Sequence, residues 1–270
     1  TWGTGDLIFI NDLFPKDWQS FLLGRDLEYL KAPSDAARLD LSGGRFALSA
    51  VFTPQFDPDR FITGERLVYS NGQALNTSGE PFPVDIPDEL FSDFEASSRL
   101  RIALGSYELA LYGYKGYWKS PLGFDPMTGA ATFPKLSVGG GSFRGPVLGS
   151  IVWLEGGYYL SDDDGPDRMM PPDQDEPGAD PFTPNSEIRG LVGVERSFGP
   201  VVTTSLQGYI ERMQNYDAYI DSLPRPIQDA GAARDQNRVL VTFRLNLEWA
   251  RQQIRASVFT YYSPTDEDDY

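Results

Sequence analysis

The stretch RVLVTFRLNLEWARQQIRASVFTYY, Arg238–Tyr262, decides the fold. In an extended chain Val239, Val241, Phe243, Leu245, Leu247 and Trp249 share one face, and Arg238, Leu240, Thr242, Arg244, Asn246 and Glu248 share the other. After Arg251-Gln252-Gln253 the alternation resumes, with Ile254, Ala256, Val258, Thr260 and Tyr262 opposed to Arg255, Ser257, Phe259 and Tyr261. Successive side chains of a strand point to opposite faces, so this period marks a β-hairpin with one apolar and one mostly polar face.

Four hairpins upstream follow the same plan. Ala37–Leu41 turns through Ser42-Gly43-Gly44 into Phe46, Leu48, Ala50 and Phe52. Ser98, Leu100, Ile102 and Leu104 turn at Gly105-Ser106 into Tyr107, Leu109 and Leu111. Leu136 and Val138 lead through a turn at Gly145-Pro146 to Val152, Leu154, Gly156, Tyr158 and Leu160, all on the apolar face. Ile188, Gly190, Val192 and Val194 pass Gly199-Pro200 into Val202, Thr204, Leu206 and Ile210. The resulting ten strands run to roughly 8–13 residues, and a barrel strand needs about 9–11 to cross a bilayer. Turns inside hairpins are short, whereas the connections 53–95, 119–134, 161–186 and 215–236 are long and rich in Pro, Asp, Gly and Asn. Short turns at one end and long loops at the other are the layout of a transmembrane barrel.

Composition narrows the function. The 270 residues are 40% hydrophobic, too apolar for a disordered chain. No run of about 18 apolar residues offers a transmembrane helix. The net charge of −16 leaves no basic stripe for phosphates, so nucleic acid is not an expected partner. Histidine and cysteine are both absent. That excludes a Ser-His-Asp triad, thiolate chemistry and zinc sites of the usual ligand type, and no enzyme, metal or cofactor is expected. Gly139-Gly140-Gly141 lies within a strand and lacks the Gly-Lys of a phosphate loop.

Cost decides which face meets lipid, because Arg or Lys at the bilayer midplane destabilises a barrel by about 2–4 kcal/mol. The charged strand positions fall with the polar set. Arg99, Arg101, Glu108, Glu155, Arg189, Glu195, Glu211, Arg238, Arg244, Glu248 and Arg255 therefore point inward as lumen-lining candidates. A soluble two-sheet sandwich would instead bury the apolar face, and alternation alone allows both. Strand length, loop asymmetry and strand-end aromatics favour the barrel. Tyr112, Tyr114, Tyr117, Trp118, Tyr158, Tyr159, Tyr261 and Tyr262 gather toward the loop-side ends, where an aromatic girdle is expected.

Trp2-Gly3-Thr4-Gly5-Asp6 is followed by Asn11-Asp12-Leu13-Phe14-Pro15-Lys16-Asp17-Trp18, and later come Phe56-Asp57-Pro58-Asp59-Arg60-Phe61, Tyr117–Pro126 and Tyr262-Ser263-Pro264. On these stretches the chain resembles a largely uncharacterised family of Gram-negative outer-membrane, porin-like β-barrel proteins. The resemblance spans most of the chain. It implies a bacterial outer-membrane location, with membrane lipid and lipopolysaccharide as neighbours, and it carries no substrate. It also implies further strands on both sides. The expectation is one barrel domain over 1–270, incomplete at both ends, within an antiparallel up-and-down barrel of about 12–16 strands.

Three constellations bear on function. The long loop 3–36 is apolar for a loop, and Pro15 with Lys16-Asp17-Trp18 reads as a helix start. Folded inward, its Phe9, Phe14, Trp18 and Phe21 would constrict a lumen; folded over, they would form a lid. The inward Arg and Glu residues either set a transverse field that selects solutes or pair between neighbouring strands and fill the barrel. The acidic run Asp162–Asp180 offers oxygen ligands for a divalent cation without the spacing of a known calcium loop, and equally suits a solvated loop. The expected function is a porin-like channel or transporter for a small solute. The alternatives are a filled structural or adhesion barrel and a soluble all-β binding protein.

Overall fold

The computed structural model describes residues 2–6, 8–23, 25, 27–65, 69–70, 75–76, 80–161, 178–226, 233–250 and 253–265. The alternating segments form β1 (Ala37–Gly43), β2 (Phe46–Thr53), β5 (Glu95–Leu104), β6 (Tyr107–Tyr117), β9 (Lys135–Val147), β10 (Ser150–Ser161), β11 (Glu187–Phe198), β12 (Val202–Met213), β13 (Asn237–Trp249) and β14 (Ile254–Tyr262). All ten join one antiparallel sheet in the order β1-β2-β5-β6-β9-β10-β11-β12-β13-β14. Two small hairpins, β3 (Tyr69–Ser70) with β4 (Leu75–Asn76) and β7 (Gly123–Asp125) with β8 (Ala130–Thr132), sit in the long connections. Helices α1 (Trp18–Leu22) and α2 (Tyr216–Ser222) are short. Among the described residues no helix is long and apolar enough to cross a membrane.

The protein is therefore all-β, an up-and-down meander of ten strands. Among the described residues β1 and β14 are each paired on one side only, so the sheet has two edges and is not a closed barrel. It nevertheless wraps around the N-terminal segment, whose residues 2–11 touch side chains on β5, β10, β12 and β13.

Register fixes the two faces. Arg189↔Glu211 and Glu211↔Arg238 place the charged positions of β11, β12 and β13 in one row. The opposite face exposes Leu39, Leu48, Leu111, Leu154, Val192, Val194, Leu206, Ile210, Phe243 and Val258. On that outward face only Lys115, Lys135, Arg196 and Arg212 are charged, each within two residues of a strand end.

Three local expectations are corrected. The turn between β9 and β10 is at Leu148-Gly149, not Gly145-Pro146. Both residues have positive φ, as a two-residue hairpin turn requires. Gly145 instead gives room to the Tyr107 ring, where a Cβ would fall 2.0 Å from Cδ1. Leu136 and Val138 lie on the inner face, opposite Ser161 and Tyr159, and are buried there. The aromatic cluster is also mostly not a girdle: Tyr114, Tyr117, Trp118 and Tyr159 are buried, and of the eight residues only Tyr158 and Tyr262 are exposed on the outward face. Exposed outward aromatics ring the turn-side ends instead, as Phe46, Tyr107, Phe198 and Trp249.

Candidate functional site

Glu155 is the centre of the inner face. It stands in the middle of β10, on the side opposite Leu154, and is 4% exposed. A buried carboxylate needs its oxygens satisfied, by a cation or by donors. Here six hydrogen bonds from the N-terminal segment do so. Oε2 accepts from the Thr4 amide at 2.8 Å, the Thr4 hydroxyl at 3.3 Å and the Gly5 amide at 3.2 Å. Oε1 accepts from the Ile10 amide at 3.1 Å, the Asn11 amide at 2.6 Å and Asn11 Nδ2 at 2.9 Å. The segment thus folds around one side chain of the sheet.

Small residues on the sheet make the approach possible. A Cβ at Gly140 would fall 1.9 Å from Asn11 Oδ1, and one at Gly157 would fall 2.7 Å from Ile10 Cγ2. Ile10 is fully buried among Tyr159, Trp153, Leu136 and Val138, and the Tyr159 hydroxyl donates to its carbonyl. Further along the groove, Gln207 Oε1 accepts from the Asp6 amide and from Trp153 Nε1, both at 3.0 Å. The Arg244 guanidinium bridges Asp6 at 2.7 Å and Glu195 at 3.2 Å.

All eleven charged candidates share this inner face, and several neutralise one another across adjacent strands. Arg101 lies 3.7 Å from Glu108, and Arg255 lies 2.7 Å from Glu248. Arg189 is held by Glu187 at 2.6 Å and Glu211 at 3.6 Å, with its guanidinium 4.0 Å from the Tyr159 ring centre. Arg234, from the 215–236 connection, adds a bond to Glu211 at 2.9 Å. Arg238 stands opposite Glu211 in the register. Arg99 differs in lying over an aromatic ring, its guanidinium 5.0 Å from the Trp2 ring centre, while its buried Nε, like that of Arg101, has no acceptor.

The four aromatic candidates of the loop separate into two places. Phe9 and Phe14 line a cleft between the segment and β1–β2, and Phe14 packs edge-on against Trp2 at 5.0 Å. Trp18 and Phe21 belong to α1 and pack together at 6.0 Å. Asp17 caps α1 by accepting from the Ser20 amide at 2.8 Å and pairs with Arg60 at 3.2 Å. Burial opposes its ionisation, but the bonds from Ser20 and Arg60 outweigh that and hold its pKa below the ordinary value. Asp59 joins the same corner, accepting from the Lys16 amide at 2.8 Å, Trp18 Nε1 at 2.9 Å and the Ser120 hydroxyl at 2.9 Å.

Beside it Lys119 and Glu95 form a buried pair, Nζ to Oε1 2.5 Å. Burial pulls the Lys119 pKa below its usual value against the upward pull of Glu95. The acidic run lies outside the described residues over 162–177. Among the described residues no group of three or more acidic side chains is placed to hold a metal ion.

Gln207 and Gly157 lie in no motif of the sequence, and Asp6, Asn11 and Gly140 enter only within longer stretches, though all five form this site with Glu155. Paired glycines at 140–141 and 156–157, in strands otherwise dense with large residues, were the available signal. Comparison with protein-family models, with curated proteins and with solved structures finds no match.

Proposed function

We propose that this chain forms the wall of a bacterial outer-membrane β-barrel whose inner face bounds a narrow, porin-like passage for a small solute, restricted by residues 2–21. The observation that carries it is the outward face: apolar and exposed across its middle, with charge confined to the strand ends and exposed aromatics near both ends. Such a surface facing water would be a very large exposed apolar patch, whereas facing lipid it is the ordinary barrel exterior. Twelve-residue strands such as β11 extend about 40 Å at ~3.3 Å per residue, and a barrel tilt of about 40° reduces this to roughly 30 Å, a bilayer's thickness. Lipid and lipopolysaccharide are then the expected neighbours, and solute passage rather than catalysis is the assigned role.

A second account, a filled barrel acting in envelope structure or adhesion, is favoured by the bonds holding residues 4–11 to Glu155 and by the paired inner charges. Single-channel recording in planar bilayers separates the two. The full-length protein is expected to give discrete conductance steps that enlarge when residues 8–21 are deleted. Steps unchanged by the deletion place the segment outside the path. Silence from both proteins favours the filled barrel, and failure to enter bilayers at all favours a soluble all-β protein.

A further inference from the structure

We infer that the cleft between the N-terminal segment and β1–β2 binds an organic anion with an apolar body, such as an aromatic carboxylate. This names the solute class of the proposed passage and rests on that proposal. The cleft has a volume of about 560 Å³, within the range of small-molecule sites. Its floor is apolar: Trp2, Phe9, Phe14 and Val51 offer ring faces and aliphatic surface. An inorganic anion would waste that surface, and a fully polar solute would leave it dehydrated without compensation.

The charged lining runs against the protein as a whole. In a chain of net charge −16, Lys16, Lys31 and Arg38 meet the cleft against one carboxylate, Asp12. Asp12 is already engaged by the Trp2 amide at 3.2 Å and by Lys16 at 3.9 Å, and Arg38, more than half exposed, pairs with Asp40 of its own strand at 2.8 Å. Arg99 adds positive charge from beneath, stacked under Trp2 with its Nε lacking an acceptor. An aromatic carboxylate would set its ring on the Trp2–Phe14 pair and its carboxylate toward Arg38 and Lys31. A cation of the same shape would meet Lys16, Lys31 and Arg38, whose charge exceeds that of Asp12 and Asp40 together.

The test uses the full-length protein in detergent, with 4-fluorobenzoate and 4-fluorobenzylammonium as probes followed by fluorine NMR. Saturable binding of the anion but not the cation is expected. Arg38→Gln with Lys31→Gln should weaken it at least about tenfold, the worth of one ionic contact of moderate strength. Val51→Trp, which fills the cleft without removing charge, should abolish it. Equal binding of both probes, binding unchanged by either variant, or no saturation overturns the inference. Planar-bilayer recording on the same preparation keeps the two proposals apart. Conductance without probe binding sinks the anion site alone, whereas probe binding without conductance upholds the site and sinks the channel.

Discussion

One side chain, Glu155, fastens the N-terminal segment to the sheet, and its role tests simply. Glu155→Gln replaces one acceptor oxygen by a donor facing amides that also donate. Hydrogen bonds to a charged acceptor contribute about 1.5–3 kcal/mol, so the segment should detach well before the sheet unfolds. Hydrogen exchange at residues 4–11 should speed by at least tenfold, about 1.4 kcal/mol of lost local protection. Gly140→Ala should give the same release by displacing Asn11, with Glu155 intact. Unaltered protection in both variants would falsify the fastening role. That Glu155 points inward is legible from alternation. Its partners are not, because Thr4 and Asn11 are separated from it by 151 and 144 residues. Asp17 supplies a residue-scale pH test. Its folded pKa is lowered, so its contribution is full above the unfolded value and fades as pH falls through the folded one. The docking of α1 on Arg60 should therefore hold at neutral pH and loosen only below about pH 4. Asp17→Asn still caps α1 but carries no charge, and exchange at residues 18–22 should lose its acid step. An acid step of equal size in that variant removes Asp17 as the cause.

At the scale of the element, the strands were legible because alternation and length agree, and all ten alternating segments are strands of one sheet. The inner alignment of β9 was not. Gly139-Gly140-Gly141 carries no side chain to declare a face, and Leu136 and Val138 look like outward residues until their partners are known. The aromatic clusters misled for a related reason. A tyrosine suits a membrane interface and a hydrogen-bonded interior equally, and Tyr114 takes the second course, donating to Glu95 at 2.6 Å. Charge insertion tests the outward face. Val192 and Leu206 are 52% and 50% exposed near the middle of their strands. Val192→Arg and Leu206→Arg should each destabilise the membrane-folded protein by about 2–4 kcal/mol. Asn246→Arg, on the inner face of β13, should cost much less. Urea titration in liposomes, read by heat-modifiable gel mobility, compares them. Equal tolerance of all three substitutions would show that the outward face does not meet lipid.

For the whole molecule the two sheet edges, β1 and β14, set the requirement. Unpaired backbone in hydrocarbon costs several kcal/mol for each group, so β1 and β14 both require partner strands if the sheet enters a bilayer. Produced without such partner strands, the 270-residue chain should yield oligomers or aggregates held edge to edge. A monomer of this chain that resists protease and shifts on heating would mean that β1 and β14 meet directly. Alternation shows the number of strands and the facing of all but β9, yet it carries no term for closure, because an edge strand and an interior strand of a lipid-facing sheet present the same pattern.

The grip of Glu155 on Thr4 and Asn11, and of Gln207 on Asp6, has a consequence in time. Residues 2–11 are synthesised before their binding surface, which is spread over β10, β12 and β13 and does not exist until more than two hundred further residues have been made and paired. This stretch is thus made before β10, β12 and β13 and is placed only after them. Until then Glu155 stands in the interior with no donors around it, and a chaperone or water must keep company with a segment as apolar as Ile8-Phe9-Ile10. Docking of residues 2–11 therefore requires that β10, β12 and β13 have already been brought together.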